Sequence, residues 1–98
     1  MTTIALTLIG KPGCHLCDDA EVAIADVLEQ LAADPSVLNG TTVTLEHLNL
    51  LDSADLMARY SEEIPVLLID GKVHNYWRID RPRLLEALVT AANGGSQA

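Results

Sequence analysis

The sequence predicts an α/β domain built on a four-stranded mixed sheet. Three observations predict it: strand and helix patterns alternate along the chain, a strand–helix–strand unit opens it, and a tight turn at Asp70-Gly71 joins the last two strands. The expected element order is β-α-β-α-β-β-α, and the expected strand order is 2-1-3-4. We expect the first and last helices on one face of the sheet and the short middle helix on the other.

The first half of the chain carries the patterns of a strand, a long helix and a second strand. Residues 3–9 alternate in the period of a strand, and residues 14–33 place apolar side chains at helical spacing. Asp34-Pro35 ends the helix, because the residue before proline avoids helical geometry. Residues 42–50 are β-rich at their start. Two parallel strands joined by a helix form a right-handed unit.

The second half indicates a short helix, a hairpin and a final helix. Asp52 or Ser53 is suited to cap the short helix. The apolar run that begins at Ile64-Pro65 indicates a buried strand, and Asp70-Gly71 is typical of a two-residue hairpin turn. Residues 81–92 form the last helix. One domain therefore spans residues 1–92, and residues 93–98 are expected to be a disordered tail.

The charge balance bears on possible partners. The 98 residues include 14 acidic and 6 basic side chains, for a formal net charge of −8. An acidic surface repels phosphate backbones and anionic lipid heads, so we expect neither nucleic acid nor membrane as a partner. Met1-Thr2-Thr3 carries no positive side chain, and no run has the length and apolarity of a membrane span. We therefore expect a cytoplasmic protein.

Both cysteines of the chain, Cys14 and Cys17, lie where the first strand gives way to the first helix. This spacing serves thiol–disulfide exchange, half of a zinc site, or haem attachment. Haem attachment needs a histidine after the second cysteine, where Asp18 stands instead. A zinc site needs two more ligands, which histidines would have to supply. Beside a strand–helix–strand unit, redox chemistry is the expected use; two inert structural thiols are the alternative.

Two segments together resemble the thioredoxin fold, and more narrowly the small glutaredoxin-like proteins. They are Lys11-Pro12-Gly13-Cys14-His15-Leu16-Cys17 after the first strand and Ile64-Pro65-Val66 before the hairpin turn. The resemblance extends from Leu6 to about Val89. It implies a cis Pro65 that faces the cysteines and a backbone at Ile64 that is free to pair with a bound peptide. We assign substrate contacts to Lys11, His15, Ile64 and Pro65.

The sequence departs from typical glutaredoxins at two places. His15 and Leu16 stand between the cysteines in place of proline and tyrosine. Asn75-Tyr76-Trp77-Arg78 stands where the family carries a Gly-Gly pair that admits glutathione. We therefore expect weaker reduction of glutathione disulfide than in typical glutaredoxins. Tyr76 and Trp77 either flank a substrate groove or cover the edge of the sheet.

The position of Cys14 at the start of a helix favours its thiolate. The helix dipole and the free amides of the first turn both stabilise a negative charge there. We expect Cys14 to attack a substrate disulfide and Cys17, one turn further in, to resolve the mixed disulfide. Lys11, and His15 when protonated, favour the thiolate, whereas Asp18 and its neighbour Asp19 oppose it. The sequence therefore does not assign a direction to the shift in the pKa of Cys14.

Three functions fit these observations. The first is a dithiol–disulfide oxidoreductase of the glutaredoxin-like type, active in redox homeostasis, with a protein or small-molecule disulfide as substrate. Its reductant is glutathione or a thioredoxin reductase, and it needs no resident metal or cofactor. The second is a thioredoxin-fold adaptor, and the third is metal or iron–sulfur handling through the cysteine pair with external thiols. We expect a monomer in each case.

Overall fold

A computed structural model describes residues 3–94 and contains four strands and three helices in the predicted order. The strands are β1 (Thr3–Gly10), β2 (Thr42–Asn49), β3 (Val66–Ile69) and β4 (Lys72–Tyr76). The helices are α1 (His15–Ala33), α2 (Ala54–Tyr60) and α3 (Arg81–Ala92), and short 3-10 helices lie at Pro35–Leu38 and Leu50–Asp52. The predicted α/β class is therefore confirmed.

The sheet has the order β2-β1-β3-β4, as the sequence predicts. β1 is parallel to β2 and antiparallel to β3, and β3 is antiparallel to β4. With neighbours on both sides, β1 is central, and its carboxyl end at Gly10 leads directly into the cysteine segment. The topology thus places that segment at the middle of one edge of the sheet.

Two apolar clusters lie on opposite faces of the sheet, because alternate residues of a strand point to opposite sides. The larger cluster joins β1, α1, β3 and α3 through Ile4, Leu6, Leu8, Ala20, Ile24, Val27, Leu31, Leu67, Leu84 and Leu88. The smaller cluster contains Ile9, Cys17, Leu50, Ile64 and Val66, with Leu56 and Tyr60 of α2 packed against it. The predicted division of the helices between the two faces agrees with these clusters. The second cysteine of the pair belongs to the smaller cluster.

The hairpin between β3 and β4 turns at Asp70 and Gly71, whose φ angles are 50° and 84°. Positive φ at both central residues suits the right-handed twist of the flanking strands. Asp70 also holds the turn against β1, because its Oδ1 accepts from the Ala5 N–H at 2.9 Å and its own N–H donates to the Ala5 carbonyl at 2.8 Å. The predicted two-residue turn is confirmed.

Side-chain caps set the starts of the two later helices. Ser53, rather than Asp52, caps α2, and its hydroxyl accepts from the Leu56 N–H at 3.3 Å. Asp80 caps α3 by accepting from the Arg83 N–H at 3.1 Å. Of the predicted tail, Asn93 ends α3 and donates from Nδ2 to the Val37 carbonyl at 3.0 Å. Residues 95–98 lie outside the described residues.

Candidate functional site

The cysteine pair begins α1. Cys14 is the N-cap residue, and its Sγ accepts from the backbone N–H of Cys17 at 3.1 Å. Its carbonyl accepts the first helical hydrogen bond, from the Asp18 N–H at 3.1 Å. The two sulfurs lie at disulfide-bonding distance, with the Cα atoms 5.2 Å apart. An amide that donates to this sulfur stabilises it as an anion when the pair is reduced.

The two cysteines differ in exposure. Cys14 is half-buried, whereas Cys17 is 4% exposed and packs in the smaller apolar cluster. Gly10 makes the burial of Cys17 possible, because a Cβ at Gly10 would lie 2.9 Å from the Cys17 Sγ and 3.2 Å from its Cβ. The end of β1 therefore lies directly against the sulfur of the second cysteine, and only a residue without a side chain fits there.

Ile64 and Pro65 lie beside the pair, and the bond between them is cis, as predicted. Ile64 is 8% exposed and packs in the same cluster as Cys17, against which Cys14 also packs. Pro65 is fully buried, and its carbonyl accepts from the Trp77 N–H at 2.7 Å. Within residues 3–94, no backbone or side-chain group hydrogen-bonds the N–H or carbonyl of Ile64.

Trp77 follows β4 in a left-handed backbone conformation, with φ of 61°. A bulky residue rarely adopts this conformation, which costs about 1–3 kcal/mol and persists where the surroundings hold it. Here two hydrogen bonds hold it: the backbone N–H to Pro65, and the indole Nε1 to the Glu62 carbonyl at 3.1 Å. Trp77 remains 52% exposed, and the ring centroids of Trp77 and Tyr76 lie 6.0 Å apart. Trp77 thus braces the segment that leads into Pro65.

Two depressions flank the cysteine motif. The first, which we call the acidic recess, has a volume of about 370 Å³ and reaches Cys17. Its lining residues are Leu8, Gly10, Lys11, Pro12, Cys17, Asp18, Glu21, His47, Leu48, Asn49 and Asp52. The second, which we call the Leu16 groove, has a volume of about 330 Å³. Its lining residues are Leu16, Asp19, Ala20, Val22, Ala23, Trp77, Arg78, Ile79 and Arg81.

The residues predicted at the site are distributed unevenly around it. Ile64 and Pro65 lie with the cysteines, and exposed Lys11 lines the acidic recess. His15 is the exposed first residue of α1 and lines neither depression.

The other two histidines lie on strands of the sheet. His47 lines the acidic recess, whereas His74 lies on β4, where burial, followed by the nearby Arg83, lowers its pKa below the ordinary value, against a smaller opposing effect of Asp80. Within residues 3–94, no three histidine, cysteine or carboxylate side chains converge as metal ligands. None of the helices in that range combines the length and the apolarity that crossing a membrane requires.

Sequence reasoning missed two features of the site and left a third, the position of Trp77, open between two alternatives. It did not find the approach of Gly10 to Cys17, although a glycine that ends a strand just before the motif is a visible signal. It placed Trp77 either beside a groove or over the sheet edge, and the structure places its exposed indole in the wall of the Leu16 groove. It gave no role to Leu16, which lies between the cysteines and lines that groove.

Comparisons with known proteins agree with this geometry. The family model described as Glutaredoxin-like domain (DUF836) matches residues 5–89. Uncharacterised proteins of Mycobacterium tuberculosis and Mycobacterium bovis are 27% identical over 84 residues, which cover 86% of this chain and 81% of each relative. The X-ray structure of a structural genomics target protein from X. campestris is 30% identical, with a TM-score of 0.58, over 85% of this chain and 93% of that one.

These findings confirm the resemblance inferred from the cysteine and proline segments. The sheet order and the solved structure agree on a thioredoxin-like fold. The family match covers the cysteine pair, Pro65 and most of α3. This chain belongs to the glutaredoxin-like domain family (DUF836).

Proposed function

We propose that this protein is a thiol–disulfide oxidoreductase in which Cys14 is the nucleophile and Cys17 the resolving cysteine. One observation carries the proposal: the half-buried Cys14 Sγ caps α1 and accepts an amide hydrogen bond, while the buried Cys17 lies within disulfide-bonding reach of it. Amide donation and the helix dipole favour a thiolate at Cys14, and the thiolate is the attacking species. Burial disfavours a thiolate at Cys17, so Cys14 is the sulfur that attacks the substrate first.

The reaction consists of two exchanges. The Cys14 thiolate attacks one sulfur of the substrate disulfide, forms a mixed disulfide, and releases the other substrate sulfur as a thiolate that takes a proton from solvent. Cys17 then gives its proton to solvent and attacks the Cys14 Sγ, which forms the Cys14–Cys17 disulfide and releases the second substrate sulfur as a thiolate that takes a proton from solvent. The substrate gains two electrons, and the protein loses two. An external thiol, from glutathione or a thioredoxin reductase system, returns them to the cysteine pair.

The surroundings of the pair suggest roles for further residues. The unpaired backbone of Ile64 suits an extended substrate segment, which pairs there beside Cys14 while Pro65 shapes the contact. Exposed Lys11 supplies a positive charge to the approach, and exposed His15, the first residue of α1, is available for substrate contact. We further propose a monomer in the cytoplasm, because that compartment keeps cysteine pairs reduced and supplies the thiols that regenerate them. The reaction itself uses no resident metal or cofactor.

A trapping experiment tests the assignment of the two cysteines. Reduced Cys17→Ser is mixed with a peptide disulfide, and the adduct is located by peptide mapping. We expect a mixed disulfide that accumulates at Cys14, whereas Cys14→Ser forms none and has no disulfide reductase activity. Limiting iodoacetamide near neutral pH should alkylate Cys14 of the reduced wild-type protein before Cys17.

Two results contradict the proposal. Alkylation of Cys17 first, or trapping by Cys14→Ser, reverses the two roles. Full binding of cellular partners by a Cys14→Ser, Cys17→Ser double variant, combined with no turnover by the wild type, favours the adaptor function instead. Metal analysis of protein purified without oxygen tests the metal-handling alternative, which predicts metal in the wild type and none in the double variant.

A further inference from the structure

We propose that the Leu16 groove selects protein disulfides whose reactive cysteine is followed by an apolar side chain and then by a carboxylate. In this proposal Trp77 is the residue that contacts the apolar side chain. The inference rests on the proposed function and names its substrate class. The occupant of the groove is the segment of a substrate protein that follows the cysteine bonded to Cys14.

The first support is the conformation of Trp77. Its left-handed backbone is an unfavourable state for a bulky residue, yet about half of the surface of Trp77 remains open to solvent. A side chain that served only to fill the core would be covered. Hydrogen bonds to Pro65 and Glu62 fix the ring on both sides of the segment that carries Ile64. The ring is thus a rigid apolar wall beside the position where a substrate backbone pairs.

The second support is the continuity of the groove with the cysteine motif. Leu16 lies between Cys14 and Cys17 in sequence and lines the groove together with Trp77. Ala20 and Ala23 extend the apolar lining along α1, away from the pair, and Ile79 adds to it from the segment before α3. In the proposed complex, a substrate held covalently at Cys14 places the residues that follow its cysteine beside this surface, where an apolar side chain loses water on binding.

The third support is charge. Two of the six basic side chains, Arg78 and Arg81, line the groove, and its lining includes one carboxylate, that of Asp19. Arg81 is engaged by Asp26 at 2.9 Å, whereas Arg78 forms no salt bridge with any residue of the described range. On a chain of net charge −8, Arg78 is a local position where a partner's carboxylate is attracted.

Glutathione lacks the apolar part of this recognition. Its cysteine is flanked by a γ-linked glutamate and by glycine, so no apolar side chain reaches the indole. The groove therefore favours protein disulfides over glutathione disulfide.

The test compares trapping rates of matched peptides with reduced Cys17→Ser, which retains Cys14. Each peptide is presented as a mixed disulfide with the same small thiol, so the leaving group is constant. One pair of peptides carries Leu or Ser at the first position after the cysteine. A second pair carries Glu or Lys at the second position after the cysteine. We expect trapping about tenfold faster for Leu than for Ser, a preference of the size that apolar pockets supply. The Glu peptide should be trapped faster than the Lys peptide at low salt, and the difference should shrink as salt is added.

Two variants in the same background assign the preferences to residues. Trp77→Gly should reduce the Leu preference to about twofold or less while the charge preference remains. Arg78→Glu should reverse the charge preference and leave the Leu preference unchanged. Trp77→Phe keeps an aromatic wall and should keep most of the Leu preference. Val73→Ala, an exposed change on β4, the strand that precedes Trp77, lies outside both depressions; it is the matched control and should alter neither preference.

A spectroscopic readout separates docking from a general structural role. Trp77 is the sole tryptophan of the chain, so its emission reports directly on the groove. Trapping the Leu peptide should shift the emission to shorter wavelength, and trapping the Ser peptide should shift it less. If Trp77→Gly slows every substrate equally, glutathione disulfide included, Trp77 is structural and the inference is wrong.

The outcomes also distinguish this inference from the proposed function. Equal trapping of the Leu and Ser peptides at Cys14 overturns the selection by the groove and leaves the oxidoreductase chemistry intact. Failure to trap any peptide at Cys14 overturns both.

Discussion

The acidic recess and the Leu16 groove lie on two sides of the same motif and differ in chemistry. The recess reaches the buried Cys17 and is lined by Lys11 and by three carboxylates, those of Asp18, Glu21 and Asp52. The groove starts at Leu16 and is lined mainly by apolar side chains, two arginines and one carboxylate. Negative potential beside a sulfur disfavours its thiolate, and an apolar wall binds a flanking side chain. Cys17 therefore lies beside the repulsive side of the motif, and the proposed substrate segment would bind on the attractive side.

The two depressions also depend on residues of opposite size: the recess on a glycine and the groove on a tryptophan. The recess needs a residue without a side chain at Gly10, because the Cys17 sulfur occupies the space of a Cβ. The groove has a large ring at Trp77, where a positive φ favours glycine. The first choice permits close packing, and the second places an aromatic surface in solvent despite its backbone cost. Close packing brings β1 against Cys17, whereas the exposed ring is available to the partner proposed above.

Adding one methyl group at the floor of the recess should have the largest effect. In Gly10→Ala the new Cβ meets the Cys17 sulfur, so either β1 or the start of α1 must move. Overpacking of this kind costs about 1–3 kcal/mol of unfolding free energy, measured by urea denaturation. Disulfide reductase activity should fall with it, because Cys17 shifts relative to Cys14. The control Asp55→Glu adds one carbon at an exposed position of α2 and should change the unfolding free energy by less than about 0.5 kcal/mol. Full stability in Gly10→Ala would show that the contact relaxes without cost.

Removing negative charge from the recess should have a smaller effect than Gly10→Ala, and the effect should appear as faster alkylation of Cys14. In Asp18→Asn, Glu21→Gln, two carboxylates that oppose a thiolate are lost, so alkylation of reduced Cys14 by iodoacetamide at pH 7 should accelerate about two- to fivefold at low salt. The matched control Glu29→Gln, Asp55→Asn removes the same charge from exposed positions outside the recess. An equal acceleration in the control would assign the effect to net charge rather than to the recess.

The smallest effect should come from His74, on the strand that leads into the groove wall. Burial and Arg83 lower its pKa in the folded protein below the ordinary 6.5, so the unfolded chain binds the proton more tightly. The stability from neutral His74 is present above pH 6.5 and is lost as the pH falls through 6.5 toward the folded pKa.

Unfolding free energy measured against pH checks this expectation. The slope should be well below the roughly 1.4 kcal/mol per pH unit of one whole proton, since His74 is partly exposed. His74→Gln should remove this slope, and His47→Gln, a change at an exposed histidine, should retain it. A steeper loss of stability below pH 6.5 in His74→Gln would reverse the assigned sign.

Local chemistry was sufficient to predict the elements and their order. Gly13 and Pro12 interrupt the chain before the helix, Pro35 ends that helix, and Asp70-Gly71 supplies a turn that needs positive φ. Hydrophobic spacing then separates strands from helices, and the handedness of crossovers restricts the sheet order. For the same reason the N-cap position of Cys14 was predictable, because a helix start depends on a few adjacent residues.

Only the tertiary structure decided what surrounds the cysteine pair. Gly10 meets Cys17, and Trp77 reaches Glu62 and Pro65, through contacts that depend on how β1, β3 and β4 are placed side by side. Sequence periodicity indicates which residues lie on the same face of a helix or strand. It does not indicate which loop packs against that face. The left-handed backbone of Trp77 runs against the preference of its own residue type, so no local rule predicts it. It persists because hydrogen bonds from distant segments of the chain outweigh that preference.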